Sequence, residues 1–362
     1  MHRKLVAALV VGILGSAAVL AACGEGASPA PPAPPMAAAQ DENYPLPGDP
    51  KNYAPLEKYE AMKVPADNPV TQDKVNLGWK LWFDKRLSGD GKRSCYSCHV
   101  NEKGLTDGVP KAVGAYDKTL ARHTPTLWNI GYHAEWYWDG RAKTLEGQAL
   151  AAWKGGNMGA KDEKEDKVRP DILETVNKAY GSEFRKVFNA PADEKNVCAA
   201  LAAFMRTIIS KNTAFDKFQA GDANAISESA KRGWEIFQKV KCTNCHVGFL
   251  LTNLQFHNVG IGMKAEKPDV GRFMVTKIEK DTGAFKTPTL RDVSRSAPYF
   301  HDGSVATLEE AVRQMLGGGI DNPHLDRVNL QKQDVDDQGV KDIVEFLKSL
   351  DEPYRIKEPK LP

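Results

Sequence analysis

Apolar residues recur at helical spacing along most of the chain. Val197, Leu201, Phe204 and Ile208 fall on one face, as do Val340, Ile343, Val344 and Leu347, the pattern of amphipathic helices laid against a core. No long alternating run points to a sheet, so the predicted fold class is all-α. Thr307, followed by Glu309 and Glu310, reads as the cap of a further helix with acidic residues in its first turn. The stretch FDKFQAGDANAIS, Phe215 to Ser227, carries turn residues between helices and divides the body into segments 41–215 and 216–362.

The N-terminus follows a different pattern. His2, Arg3 and Lys4 precede an uncharged run from Leu5 to Ala22 that ends Leu20-Ala21-Ala22-Cys23. A positive start, an apolar stretch and small residues before a cysteine predict a lipoprotein signal peptide over 1–22, with lipid attached at Cys23. Residues 23–40 are rich in Pro and Ala and lack the bulky side chains a core needs, so they are expected to form a tether. The expected location is the cell envelope, on its periplasmic side, held to the membrane by lipid.

Composition then narrows the class. A hydrophobic share of 41% with 27% charged residues is that of a soluble globular body, and 362 residues suit two domains better than one. Without Arg3 and Lys4 the 49 basic residues fall to 47, equal to the acidic ones. That balance leaves no basic footprint for nucleic acid.

Four of the six cysteines form two close pairs, Cys95 with Cys98 and Cys242 with Cys245, each followed at once by a histidine, His99 and His246. Cys198, within VCAALAAFM, reads as a buried thiol. A close pair alone fits a redox dithiol, half a zinc site or a c-type haem attachment. The adjacent histidine, present twice in an exported chain, favours two covalently bound c-type haems: two thiols bond the macrocycle while the imidazole meets the iron.

The duplication extends beyond these clamps. TPTLWNIGYHAEWYWDGRAKTLEGQAL (Thr124 to Leu150) matches TPTLRDVSRSAPYFHDGSVATLEEAV (Thr287 to Val312), with fourteen positions from the first threonine to Trp138 or His301. The second copy reaches Met315, fourteen residues past His301, where the first copy has Ala152. Methionine on an amphipathic helix is commonly core packing, but this place in the repeat marks it as an axial ligand. A His/Met pair closes an iron and raises its potential, whereas alanine leaves one open. Trp138, at the position of His301, is either a buried aromatic or an electron stepping stone.

Together with LWFDKRLSGDG (Leu81 to Gly91) and YWDGRAKTLEGQA (Tyr137 to Ala149), these segments resemble the bacterial dihaem cytochrome c peroxidase family, MauG-like enzymes included, over nearly all of residues 70–350. The resemblance implies two cytochrome c-type domains. An N-terminal peroxidatic haem sits on His99 with Gln148 above it, and a C-terminal electron-transfer haem is held by His246 and Met315. Trp138 lies between them. It implies reduction of hydrogen peroxide with electrons from a small cytochrome c or cupredoxin, and it admits a homodimer. Two alternatives stand beside this function: a MauG-like oxidase of a partner protein, and a dihaem electron carrier without catalysis.

Three departures from the family pattern bear on chemistry. The glutamate usual about ten residues past the glutamine is missing from KGGNMGA, where Asn157 and Met158 stand. That removes the expected proton-moving carboxylate; Glu163 or Glu165 would have to fold back to replace it, although a charged run is usually a solvated face. Ala115 stands where relatives place a histidine over the first iron, so that iron is expected to be open at rest, with His123 and His133 read as structural. His123 also replaces an asparagine of a calcium site that would share carbonyls from Ser296 and Pro298, which weakens the case for calcium.

Overall fold

The structure is a computed structural model that describes residues 43–44 and 62–362. The predicted signal peptide, Cys23 and the tether lie outside the described residues. Among those described, no helix is long and apolar enough to cross a membrane.

Two crossed helix pairs organise the molecule. Helix α1 (Gln72–Phe83) is followed by α2 (Leu145–Lys154), α3 (Pro170–Phe188), α4 (Glu194–Met205) and α5 (Ala214–Gln219). Then come α6 (Glu228–Lys239), the short α7 (Phe273–Thr276), α8 (Leu308–Leu316) and α9 (Asp337–Lys348). Helix α1 packs on α4, and α6 packs on α9. Glycine permits both crossings: a Cβ on Gly78 would sit 2.0 Å from the Ala200 carbonyl oxygen, and one on Gly233 would sit 1.9 Å from that of Asp342. Backbones this close exclude any side chain at the contact.

Each pair carries its own apolar core. Trp79, Trp82, Phe184 and Phe204 lie in the first; Phe215, Phe237, Phe346 and Leu347 lie in the second. Local capping starts the helices where the sequence allows. The Asp193, Ser227 and Asp336 side chains accept from backbone N–H groups three residues on, and Thr307 forms a capping box with Glu310.

The sequence repeat is also a repeat of conformation. Asn129 and Asp292 share a left-handed backbone (φ 59° and 60°), as do Tyr137 and Phe300 (φ 66° and 67°). The bridge between Trp136 and Ala142 recurs between Tyr299 and Val305. The copies also exchange backbone hydrogen bonds at corresponding places: His123 N–H donates to the His301 carbonyl, and Lys286 N–H to that of Trp138, both at 2.8 Å. Arg122 adds ion pairs to Asp139 (2.7 Å) and Asp269 (2.6 Å).

The structure is mostly helical, with three local differences from the sequence expectation. Residues Phe215 to Gln219 belong to helix α5 rather than to a turn, because Thr213 and Asp216 form a capping box and Phe215 buries itself in the second core. Ile208 lies beyond the end of α4 but is fully buried. Two residues each of β1 (Phe256–His257) and β2 (Phe285–Lys286) pair antiparallel, too short for any alternation to show. The C-terminal tail returns to the first core: Asn101 and Ile356 exchange hydrogen bonds at 2.9 and 3.0 Å, and the Trp79 indole donates to the Lys357 carbonyl.

Candidate functional site

The second clamp is a single tight turn. Cys242–Asn244 is a 3₁₀ turn, and His246 N–H donates to the Cys242 carbonyl at 2.9 Å, so both thiols and the imidazole lie on one short loop. The His246 Nδ1 lies 3.0 Å from the Leu251 carbonyl oxygen. A carbonyl only accepts, so Nδ1 carries the hydrogen and Nε2 presents its lone pair. Burial holds the ring neutral, with its pKa down to about 4. Cys242, Cys245 and His246 line one apolar cavity together with Met315, Leu347 and, from the first copy, Trp138.

The first clamp repeats this arrangement. Cys95–Ser97 forms the turn, His99 N–H donates to the Cys95 carbonyl at 3.2 Å, and Nδ1 lies 2.8 Å from the Leu105 carbonyl oxygen. Burial lowers the pKa of His99 too, so Nε2 again carries the free lone pair. The corresponding caps, Thr144 and Thr307, start α2 and α8 alike. Ala152 therefore occupies in α2 the helical place that Met315 occupies in α8. Gln148 is half-buried on α2, its carbonyl accepting from the Tyr137 hydroxyl at 3.3 Å.

The remaining sequence candidates divide clearly. Trp138 is clamped rather than merely packed, since its indole donates to the His123 carbonyl at 2.9 Å and its own carbonyl accepts from Lys286. Met158 is buried, and the Asn157 carbonyl accepts from Ala115 N–H at 3.1 Å, so this segment secures the Ala115 loop by its backbone. Glu163 and Glu165 are exposed, and Glu165 pairs with Lys167; neither folds back. The buried His123 lies 2.8 Å from the Val109 carbonyl through Nδ1, and the Ser296 hydroxyl donates to Val293.

Sequence reasoning missed the Leu105 and Leu251 carbonyls, although aligning the residues that follow each clamp would have raised them as a pair. It also missed Lys286. This buried ammonium donates to the Glu135 carbonyl at 2.8 Å and to His133 Nδ1 at 3.1 Å, and burial pushes its pKa down to about 7. His133 is held neutral by burial and by that neighbouring charge. Both side chains sit where the two copies meet, a place that only the folded chain defines.

The family model described as Di-haem cytochrome c peroxidase matches residues 72–224. The cytochrome-c peroxidase IdrP1 of Denitromonas iodatirespirans is 34% identical, over 87% of this chain and 91% of its own length. The methylamine utilization protein MauG of Methylorubrum extorquens is 37% identical, over 84% and 85%. The chain belongs to the di-haem cytochrome c peroxidase family.

A solved structure of the family, a MauG-like protein associated with microbial copper homeostasis, is 31% identical and superposes with a TM-score of 0.75 over 85% of this chain and 97% of that one. The family implies two c-type haems. The donors present fit that group: each clamp offers two thiols and a neutral imidazole with Nε2 free, and the second adds a thioether on the wall of the same apolar cavity.

Proposed function

We propose that this family member reduces hydrogen peroxide to two waters, taking two electrons one at a time from a small cytochrome c or cupredoxin. Segment 41–215 is the peroxidatic haem domain and 216–362 the electron-receiving one. Cys95 and Cys98 with His99, and Cys242 and Cys245 with His246, attach the haems, and Met315 completes the second. Bound haem supplies the electron storage and the chemistry with peroxide.

The chain itself supplies position, access and electrostatics. The Leu105 and Leu251 carbonyls fix which imidazole nitrogen is free. Met315 closes the second site, and Ala152 leaves the matching place in the first without a donor. Gln148 offers an amide to a bound oxidant there. With Asn157 and Met158 in place of a carboxylate, no side chain of that segment moves a proton, so the expected turnover is slower than where one is present. Trp138, held from both copies, assists electron passage between the sites. The first 22 residues act as a signal peptide, and Cys23 anchors the protein by lipid to the periplasmic side of the envelope.

The observation that carries this reading is the replacement of Met315 by Ala152 on two otherwise equivalent helices. Stopped-flow mixing of oxidised and half-reduced holoprotein with peroxide tests it, followed by steady turnover with reduced cytochrome c. Rapid spectral change and sustained peroxide consumption are expected. Low-spin, six-coordinate iron at both sites in every redox state, with peroxide untouched, would refute it. A second reading, oxidation of a partner protein by peroxide, is favoured by the similarity to MauG at 37% identity; a modified partner without turnover of reduced cytochrome c would select it.

A further inference from the structure

Around the first clamp the aromatic rings form a continuous series. Trp82 has its ring centroid 5.8 Å from that of His99 and 5.6 Å from Phe204. Phe204 lies 5.0 Å from Tyr44, and the Tyr354 hydroxyl donates to the Tyr44 oxygen at 2.6 Å. Trp82 is 2% exposed and Tyr44 1%, whereas Tyr354 is only half-buried. The series thus runs from a buried imidazole to the protein surface.

The second half provides an internal control. There Phe237 lies 6.4 Å from His246 and 5.1 Å from Phe346, and Phe215 packs 5.0 Å from both Phe346 and Trp234. The packing corresponds ring for ring: Trp82 to Phe237, Phe204 to Phe346, Tyr44 to Phe215, and Trp79 to Trp234. Phenylalanine therefore suffices to fill this core. At the two positions that lead outward from the imidazole, the first half instead has indole and phenol, rings that give up an electron far more readily than benzene does.

We propose that Trp82, Phe204, Tyr44 and Tyr354 form a relay that draws oxidising equivalents from the His99 site to the surface when donor electrons run short. This rests on the peroxide-reducing reading of that site. Ring contact at each stage favours transfer, because electron transfer weakens steeply with distance. Tyr44 gives up one electron through Phe204 and Trp82 and releases its phenolic proton. Tyr354 then restores it: the Tyr354 O–H bond breaks, and its electron and proton cross the hydrogen bond together to re-form the Tyr44 O–H. Peroxide takes up two electrons and two protons in becoming two waters. A first pass leaves Tyr354 short of one electron and one proton, a second leaves Tyr44 short of the same, and the two protons released to solvent balance the two that peroxide takes up.

The test mixes oxidised full-length holoprotein with hydrogen peroxide, without a donor, in the presence of a nitroso spin trap. Paramagnetic resonance and peptide mass spectrometry then locate the radical. The expected result is a tyrosyl signal and a trap adduct on Tyr354. The adduct is lost in Trp82→Phe, which copies Phe237, and in Tyr44→Phe, which copies Phe215. Tyr354→Phe retains wild-type peroxide consumption with reduced cytochrome c but leaves the radical on Tyr44. An undiminished Tyr354 adduct in either folded, haem-loaded variant overturns the relay. So does a wild-type protein that turns over peroxide with donor but leaves Tyr354 unlabelled, and that result spares the peroxidase reading. Protein that neither consumes peroxide with donor nor forms a radical overturns both.

Discussion

The two halves share a backbone and differ in a few side chains. Helix crossing, clamp turn, carbonyl-held imidazole and the left-handed turns at Asn129 and Asp292 recur in each. Against that common frame stand Met315 for Ala152, His301 for Trp138, Lys286 for His123 and Asp292 for Asn129. A duplicated scaffold thus presents the same carbonyl-held imidazole twice, while single substitutions distinguish the two sites. Similarity of fold between the halves carries no information on that division of labour.

Removing a clamp should break the comparison most severely. Replacing Cys95 and Cys98, or Cys242 and Cys245, by alanine is expected to cut covalently bound haem from two per chain to one, read by the alkaline pyridine spectrum. Equal loss from either clamp supports equivalence; retention of two haems denies that these cysteines attach them. Next in size is the Met315/Ala152 contrast. Met315→Ala should open the second site and lower turnover with a reduced donor by at least about 10–100-fold, while Ala152→Met should block peroxide at the first. Unchanged spectra and rates in both variants would remove the asymmetry.

The crossings test whether the shared frame is mechanically shared. Gly78→Ala and Gly233→Ala each force a methyl group against a carbonyl oxygen, and each should destabilise by about 1–3 kcal/mol in denaturant titration. A large effect at one and none at the other would show unequal packing.

The smallest effect concerns Asp292. Burial pushes its carboxyl up to about 6, aided by nearby Asp351 and opposed by Arg295 and the Trp128 indole. The folded value lies above the unfolded one, so this group's stabilising contribution is present below about pH 4 and lost as pH rises through 6. Asp292→Asn, which copies Asn129, should flatten that slope by at most about 3 kcal/mol, measured as unfolding free energy from pH 4 to 7. An identical slope in the variant would assign the pH dependence elsewhere.

Much of this was legible in the chain. The clamps, the repeat and the Met315/Ala152 contrast depend on spacing along the sequence, and local hydrogen bonds turn that spacing directly into geometry. The Thr307 cap was legible for the same reason: its partner Glu310 lies one turn away. The turn expected at Phe215 was not a turn, because burial of that ring in the second core outweighs the weak helical signal of its neighbours.

The sequence by itself determined which residues stand beside one another in each clamp and that the design occurs twice, since both are matters of covalent order. Only the tertiary structure decided that His123 and Lys286 clasp the opposite copy, that Lys286 is buried against His133, and that Tyr44 meets Tyr354. Those contacts join residues far apart in the chain. Their partners are selected by how two helix pairs pack and by what burial does to charge and ring, quantities that no local pattern encodes.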